Sequence, residues 1–321
     1  MRILITGAAG FAGGYAIRHF AGRQGMAVHA AKLPQERIPE AIQKLCTVHD
    51  ADLTDAEAMR GLLHEIKPDC ILHLAAQSSV ALSWKRPAMT AQVNVTGTVN
   101  LLEAARALER MPRILSIGSA EEYGVLKPEQ CPVGEETPLH PGNIYAATKA
   151  AAEQLCGVYV RAYSLPVICV RAFNHAGAGQ STQFVLADFC RQAAEIALGM
   201  REPVIRTGNL TVQRDFTDVR DIIRAYALLL ERGSAGAVYN VGSGRAQPLS
   251  ALLEEIRALS GVHFRIETDP QKFRPAETPL LCADIRKITA DTGWAPEIPL
   301  HETLADMLRH AKEEVLHASA P

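Results

Sequence analysis

The chain opens with Met1-Arg2-Ile3-Leu4-Ile5-Thr6-Gly7-Ala8-Ala9-Gly10-Phe11-Ala12-Gly13, an apolar segment followed by a loop whose glycines stand three residues apart. Glycines let backbone N–H groups approach a phosphate closely, and a following helix directs its positive end toward the same place. This pattern predicts a pyrophosphate site, although a tight strand-to-helix turn alone also favours small residues. The predicted cofactor-binding residues of this loop are Gly7, Gly10, Phe11, Ala12 and Gly13.

Further apolar runs alternate with helical stretches through the first half of the chain. They cover residues 27–31, 47–50, 70–74, 113–117 and 167–171. Continuous apolar strands are typical of a parallel sheet that is buried on both faces and joined by right-handed helical crossovers. The pattern therefore predicts an α/β fold with a Rossmann-type, doubly wound parallel sheet.

The pattern loosens after residue 171, where a glycine-containing loop is followed by a helix to about residue 198 and a strand over 238–242. The last third mixes helices with proline-rich turns. We interpret this part as a smaller, discontinuous α/β substrate-binding lobe built from residues 174–211 and 244–321. The dinucleotide-binding domain then comprises residues 1–173 and about 212–243.

Composition excludes several classes of protein. The 321 residues are 48% hydrophobic and carry a formal net charge of −2, so no basic field favours nucleic acid and no polybasic tail favours a membrane. The seven cysteines are dispersed without C-x-x-C spacing, which argues against disulfides and a zinc site. Without a span of about 20 apolar residues or a cleavable signal, we expect a soluble, cytoplasmic protein that binds no metal.

Three side chains with complementary chemistry occur in the middle of the chain. Ser119 follows the strand predicted over 113–117, and Tyr145 and Lys149 stand four residues apart on one helix face. A ketone under reduction needs a proton, which a tyrosine supplies when a nearby ammonium lowers its pKa. A lone tyrosine or serine is more often a packing or turn residue. Together, their order and spacing predict a catalytic unit in which Ser119 shares the substrate oxygen. Lys149 is also expected to hydrogen-bond the nicotinamide ribose, so Tyr145 and Lys149 are predicted cofactor-binding residues as well.

The order of phosphate loop, serine and Tyr-x-x-x-Lys resembles the extended short-chain dehydrogenase/reductase family. The resemblance implies a structural role for Asn94 and cofactor contacts from two further segments. Asp52 would accept from the adenine amine, although a lone aspartate before a helix also suits a cap. The predicted contacts of these segments are Asp52, Leu53, Leu74, Ala75, Ala76 and Gln77.

The end of the second strand bears on the choice of cofactor. An acid there accepts from the adenosine ribose 2′-OH and selects NAD. This strand ends in Ala31 and Lys32, and Lys32 is able to pair with a 2′-phosphate, as is Arg37 if its loop folds back. A solvated loop lysine is the other interpretation. We predict NADP(H), with NAD(H) as the alternative.

Arginine-containing segments in the second half resemble those with which nucleotide-sugar-modifying members of the family hold the substrate diphosphate. They carry Arg214 and Arg274, and guanidinium groups suit phosphate oxygens. Each arginine alone is more often a surface charge or part of a salt bridge. Asn174 and Glu277, in similarly matching segments, complete the predicted substrate contacts.

The chain as a whole most resembles two families that act on GDP-sugars, GDP-mannose 4,6-dehydratase and GDP-4-keto-6-deoxymannose reductase. A GDP-hexose is therefore the predicted substrate. Asp188 is able to accept from both N1–H and N2–H₂ of guanine, and a plain helix-surface aspartate is an equal interpretation.

The identity of two neighbouring residues separates the candidate reactions. A 4,6-dehydratase needs an acid and a base besides the tyrosine. Glu121 stands where dehydratases keep the carboxylate for the C5 proton, but Ala120 transfers no proton. We predict reduction of GDP-4-keto-6-deoxy-D-mannose to GDP-D-rhamnose, with Glu121 counted among the catalytic residues. The alternatives are a GDP-mannose 4,6-dehydratase, then a 4-epimerase, and last a non-catalytic NADP-binding regulator.

Two helical stretches predict self-association. Residues 95–108 and 145–163 carry apolar and small residues on more than one face, which requires a second burial partner. In similar proteins this pair of helices forms a four-helix interface. We expect a homodimer or a higher homo-oligomer.

Overall fold

The structure, a computed structural model, describes residues 1–272 and 278–318. Its strands are β1 (Arg2–Thr6), β2 (Ala27–Lys32), β3 (Thr47–Asp50), β4 (Cys70–His73), β5 (Arg113–Ile117), β6 (Val167–Ala172), β7 (Asn174–Ala176), β8 (Val204–Thr207), β9 (Gln213–Asp218), β10 (Val238–Val241), β11 (Ala246–Pro248), β12 (Arg265–Thr268) and β13 (Leu280–Leu281).

Its α-helices are α1 (Phe11–Ala21), α2 (Glu40–Gln43), α3 (Ala56–Ile66), α4 (Val80–Lys85), α5 (Pro87–Ala91), α6 (Gly97–Arg106), α7 (Ile144–Tyr163), α8 (Val185–Ala197), α9 (Val219–Arg232), α10 (Leu249–Ser260), α11 (Arg286–Thr292) and α12 (Leu300–Ala318). A π-helical turn over Gln92–Thr96 leads into α6, and a 3₁₀ turn over Ala120–Tyr123 follows β5.

The central element is a seven-stranded parallel sheet in the order β10-β6-β5-β4-β1-β2-β3. The middle strands are mostly apolar because helices cover both faces. The predicted Rossmann-type sheet is confirmed, and its strands lie within one residue of the predicted runs. The carboxyl ends of β1, β4 and β5 meet at one edge, which is where such sheets bind ligands.

A second, smaller unit is built on α8, α10 and α12. Their apolar faces share a core with Phe216 and Phe264. Around it stand a sheet in the order β11-β9-β13, with β7 paired to β9, and the parallel pair β8 and β12. The segment 212–243 contributes β9 to this small sheet and β10 to the large one. The predicted domain boundaries stay a prediction.

One buried carboxylate joins the two sheets. Asp215, in β9, accepts hydrogen bonds from the backbone N–H and the hydroxyl of Ser243, just beyond β10, at 2.7 and 2.5 Å. The N–H groups of Gly244 and Ala283 donate to its other oxygen, both at 3.0 Å. Burial raises the pKa of Asp215, and these four bonds counteract that effect. Asp215 therefore connects β9 to the segment that follows β10 of the large sheet.

No helix within residues 1–272 and 278–318 is long and apolar enough to cross a membrane. The same residues contain no cluster of three or more histidine, cysteine, aspartate or glutamate side chains that is arranged to hold a metal ion.

We expect Asp215→Ala to lower the free energy of unfolding by about 3 kcal/mol, because it leaves buried N–H donors without acceptors. Urea unfolding followed by circular dichroism measures this loss. Asp284→Ala is the control, since it removes an ion pair with the exposed Arg286 and should cost under about 1 kcal/mol. Equal losses in the two variants would contradict the assigned role of Asp215.

Candidate active site

The three glycines of the first loop are needed for different structural reasons. Gly7 has a φ of +67°, and a Cβ on it would lie 2.7 Å from the backbone of Ala75. A Cβ on Gly13 would lie 2.5 Å from the carbonyl oxygen of Ala8, so this glycine lets α1 pack against the loop. A Cβ on Gly10 would meet only the carbonyl oxygen of Gly7, at 3.2 Å. The turn, the open face and the close packing are the features with which a Rossmann loop binds a dinucleotide.

The start of α1 faces the same space. Gly10 is the N-cap and offers no side chain to the N–H groups of the first turn. Those groups have no partner within the helix and suit an anion. The loop at Phe11 and Ala12 therefore fits the pyrophosphate that the sequence predicts.

Asn94 fixes the segment that follows β4. Its amide oxygen accepts from the N–H of Gln77 at 2.8 Å, and its nitrogen donates to the carbonyl oxygen of Gln77 at 3.1 Å. The same nitrogen donates to the Thr148 hydroxyl of α7 at 3.0 Å. This buried amide thus links residues 74–77 to the helix that carries Tyr145 and Lys149.

The structure brings Ser119 and Tyr145 together. Asn143 caps α7 by accepting from the N–H of Ala146 at 2.8 Å, which places Tyr145 in the first turn of the helix. The Ser119 hydroxyl lies close enough to the Tyr145 hydroxyl to lower its pKa. Burial raises the pKa of Tyr145, and Lys149 is not among the groups that lower it, so in this arrangement the phenol keeps its proton.

Lys149 lies one helical turn beyond Tyr145. Its ammonium group donates to the carbonyl oxygen of Ile117, at the end of β5, at 2.7 Å. Burial lowers the pKa of Lys149, and the nearby Glu122 carboxylate acts in the opposite direction. The lysine is therefore held against the strand end from which Ser119 also emerges.

Two acidic side chains flank the pair of hydroxyl groups. Glu121 accepts from the Asn143 amide at 3.1 Å and lies close enough to Tyr145 to help raise its pKa. Glu122 is fully buried, and its Oε1 accepts from the N–H of Ser119 at 2.6 Å. Between the strand and these acids, Ala120 is only 2% exposed and has no group for proton transfer.

The structure gives the predicted adenosine-side residues partners of their own. Lys32 forms an ion pair with Asp50 at the end of β3, with 2.5 Å between Nζ and Oδ1, and also donates to the carbonyl oxygen of Leu33. Asp52 accepts from the N–H and the hydroxyl of Thr54, both at 2.8 Å. The cap of α3 is Asp55 rather than Asp52. Leu53 is buried beneath this turn.

The predicted substrate residues are distributed along the small unit. Arg214 donates to the carbonyl oxygen of Thr278 at 2.7 Å, and the Thr278 hydroxyl donates to the carbonyl oxygen of Gly124, just beyond the Ser119 turn. Asn174 begins β7. Arg274 and Glu277 lie outside the described residues.

Asp188 has a partner that the sequence did not reveal. Its Oδ2 accepts from the Lys272 ammonium at 2.6 Å and from the Gln192 amide at 3.0 Å. Lys272 also donates to the carbonyl oxygen of Arg206 at 2.9 Å. The side chain is thus part of a salt bridge between α8 and the turn before residue 273.

The two units touch next to the phosphate loop. The Phe11 ring stacks on the His175 ring, with centroids 6.2 Å apart and planes within 4°. The Tyr15 hydroxyl donates to the carbonyl oxygen of Ala178 at 2.9 Å. Because α1 makes these contacts, the glycine loop and the small unit adjoin directly.

Residues 4–307 match the family model described as GDP-mannose 4,6 dehydratase. The chain belongs to this family. It is 36% identical to the GDP-6-deoxy-D-mannose reductase of Pseudomonas aeruginosa over 96% of each chain, and 32% identical to GDP-mannose 4,6 dehydratase 2 of Arabidopsis thaliana over 95% of this chain and 85% of that protein.

Solved structures agree with this assignment. RMD from Pseudomonas aeruginosa, solved as a complex with NADPH, superimposes with a TM-score of 0.87 at 34% identity and covers 98% of this chain and 99% of that chain. UDP-glucose 4-epimerase from Thermus thermophilus, solved with NAD, superimposes with a TM-score of 0.85 at 26% identity and covers 97% of this chain and 99% of that chain. The resemblance inferred from the sequence is thereby confirmed at the level of family and fold.

Three features of the site were not predicted from the sequence. Asn143, which caps α7 and binds Glu121, had a signal in the N-cap preference for asparagine. Glu122 was indicated by the Ser-x-x-Glu spacing of a capping box, which the structure forms. The contact between Phe11 and His175 had no such signal, because these residues are far apart in sequence.

Proposed function

We propose that this chain reduces the C4 ketone of a nucleotide-linked 4-keto-6-deoxyhexose, most specifically GDP-4-keto-6-deoxy-D-mannose to GDP-D-rhamnose, with NADPH. The observation that carries the proposal is the Ser119–Tyr145 hydroxyl pair beside a buried Ala120. The pair binds and protonates a carbonyl oxygen, and the alanine adds no further acid. The 36% identity to a GDP-6-deoxy-D-mannose reductase supports the same reaction.

The catalytic roles follow from the geometry. The nicotinamide cofactor, when bound, supplies hydride to the carbonyl carbon. Ser119 and Tyr145 hold the carbonyl oxygen, and Tyr145 donates the proton that turns the developing alkoxide into a hydroxyl. Lys149, on the same face of α7, provides the positive charge that makes this donation easier. These roles are part of the proposal.

The cofactor fits the residues present. Gly7, Gly10 and Gly13 form the turn, the open face and the close helix packing, and the first turn of α1 would hold the pyrophosphate. Residues 74–77, which Asn94 fixes, would lie along the cofactor. The structure of RMD with NADPH supports the choice of NADP(H), and that of the epimerase with NAD keeps NAD(H) as a second candidate.

A 4,6-dehydratase is the second candidate, and Glu121 is the observation that favours it. Its carboxylate is next to Tyr145, where a base for a C5 proton is needed. Two facts favour reduction instead. Asn143 already binds Glu121, and Ala120 leaves the neighbouring position without an acid for the C6 hydroxyl.

We expect the wild-type protein to oxidise NADPH stoichiometrically with GDP-4-keto-6-deoxymannose. Tyr145→Phe should lower kcat by about 10³-fold, since it removes the proton donor and little volume, and should leave the Kd for NADPH unchanged. Absorbance at the nicotinamide band and fluorescence titration give the two quantities. Near-normal turnover of Tyr145→Phe would overturn the assigned chemistry.

The same assay separates the two reactions. A reductase gives little or no 4-keto product from GDP-mannose, and Glu121→Gln should keep most of its ketone-reducing activity. Conversion of GDP-mannose to its 4-keto-6-deoxy derivative without net use of cofactor, together with its loss in Glu121→Gln, would assign the chain to the dehydratases.

Lys32 is the proposed contact of the 2′-phosphate, and it has to share its charge with Asp50. We expect Lys32→Ala to weaken NADPH binding about tenfold and to leave NADH binding unchanged. The variant loses a charge-assisted hydrogen bond to the 2′-phosphate, which only NADPH carries. Asp50→Asn breaks the same ion pair but keeps the lysine, so it should not weaken NADPH binding. Equal effects of the two variants on NADPH would refute a direct contact.

We also propose a cytoplasmic homodimer. A reducing compartment suits the seven free cysteines. Self-association is supported by an exposed stripe on α7, made of Ala147, Ala151, Gln154 and Val158 at helical spacing. Val158 is a large apolar side chain that is 45% exposed. Such a stripe suits the close approach of a second helix.

We expect Ala151→Arg to convert the dimer into a monomer at micromolar concentration, because it places a large charge in the centre of the stripe. Light scattering coupled to gel filtration measures the mass. Ala251→Arg, at an exposed position of α10, is the matched control and should not change the mass. A monomeric wild-type protein would contradict the proposal.

A further inference from the structure

Four charged side chains form a cluster on the buried side of Tyr145. Arg171 in β6 and Glu153 in α7 each have side chains only 6% exposed, and they form a bidentate pair with distances of 2.7 and 2.9 Å. Both oxygens of Glu153 are thus engaged by one guanidinium group. The remaining two charges, Lys149 and Glu122, are left to balance each other.

Lys149 and Glu122 contact the two ends of one three-residue stretch. The Lys149 ammonium donates a hydrogen bond to the carbonyl oxygen of Ile117, and Glu122 Oε1 accepts one from the N–H of Ser119. Between them Gly118 makes room for the acid, because a Cβ at that position would lie 2.4 Å from Glu122 Oε1. The carboxylate is therefore built into the backbone that presents Ser119.

The second oxygen of this carboxylate has no hydrogen-bond partner. Glu122 Oε2 is buried and unpaired among residues 1–272 and 278–318. A cavity of about 10 Å³, the space for one water centre, is lined by Gly118, Lys149 and Glu153. A buried carboxylate oxygen is costly unless charge or water compensates it, and Lys149 is the ammonium available.

We propose that Glu122 is a positioning residue of the catalytic centre, which keeps Lys149 in its ammonium form and thereby sets the upper pH limit of catalysis. The proposal rests on the proposed function only for the catalytic readout. It assigns a role to an acid that touches neither the substrate oxygen nor the predicted cofactor segments.

The electrostatics of the pair agree with this role. Burial raises the pKa of Glu122, with Glu153 adding to the effect and Lys149 and Arg171 opposing it. Burial lowers the pKa of Lys149, and Glu122 is the main charge that opposes this. Tyr145 and the Cys169 thiol also face Glu122, and its charge raises the pKa of both. The pair therefore titrates jointly, and its apparent pKa values belong to the pair rather than to either residue.

The test compares pH profiles of kcat/KM. Glu122→Gln keeps the acceptor for the N–H of Ser119 and removes the charge, so Lys149 should lose its proton at lower pH. We expect the alkaline limb to move down by about one pH unit or more. Glu122→Asp keeps the charge, so its alkaline limb should lie close to that of the wild type. Glu135→Gln is the matched control, because Glu135 also accepts a backbone N–H, that of Asn240 at 2.9 Å, but does not act on Lys149.

A second readout needs no substrate. The raised pKa of Glu122 means that the folded state retains a proton that the unfolded state loses, so wild-type stability should fall as pH rises above the usual carboxyl range. The Tm of Glu122→Gln relative to wild type should therefore increase between about pH 5 and about pH 8. Lys149→Met should change this pH dependence, whereas Glu135→Gln should leave it as in the wild type.

These outcomes separate the two proposals. An unshifted alkaline limb in Glu122→Gln, or a difference in Tm that does not vary with pH, would overturn the role of Glu122. A wild-type protein without ketone-reducing activity would overturn the proposed function, and the Tm comparison would still decide whether Glu122 and Lys149 are coupled.

Discussion

The buried ion pair between Arg171 and Glu153 holds the catalytic half of the molecule together. It joins helix α7 to β6, and the same guanidinium group donates to the Tyr123 hydroxyl at 3.0 Å and to the carbonyl oxygen of Glu135 at 2.8 Å. The Tyr123 hydroxyl in turn donates to Asn240 of β10. One arginine therefore fixes the helix of Tyr145, the turn of Ser119 and the adjacent loop to the sheet. Removing one member of such a pair costs about 3–5 kcal/mol because its partner is left charged and buried.

The parallel sheet makes this cluster useful. All of its strands point the same way, so three features lie at one edge of the sheet. These are the glycine loop after β1, residues 74–77 after β4, and Ser119 after β5. The helix α7 then crosses that edge with Tyr145 in its first turn. The small unit adds Arg214 from β9, and Asp215 ties that strand back to the sheet. The site is thus a meeting of loops that rigid elements position.

Charge balance explains why polar groups are tolerated so deep in the molecule. Two acids and two bases share the region behind Tyr145, with Arg171 satisfied by Glu153 and Lys149 opposite Glu122. A low local dielectric strengthens these interactions and also penalises any unpaired member. The pKa of the lysine is thereby linked to an acid that the backbone of the Ser119 turn holds in place.

The sequence by itself determined the fold class and the strands of the large sheet, and it predicted the unit of Ser119, Tyr145 and Lys149. These features depend on local properties: apolar runs, glycine conformation and helical spacing along a few residues. Only the tertiary structure decided that Lys32 pairs with Asp50, that Asp188 pairs with Lys272, and that the charge of Glu122 acts on Lys149. Those partners are 18, 84 and 27 residues apart in the chain, and the energy of an ion pair depends on distance and burial in space. Neither quantity is encoded in a local pattern, because both arise only when the strands and helices have packed.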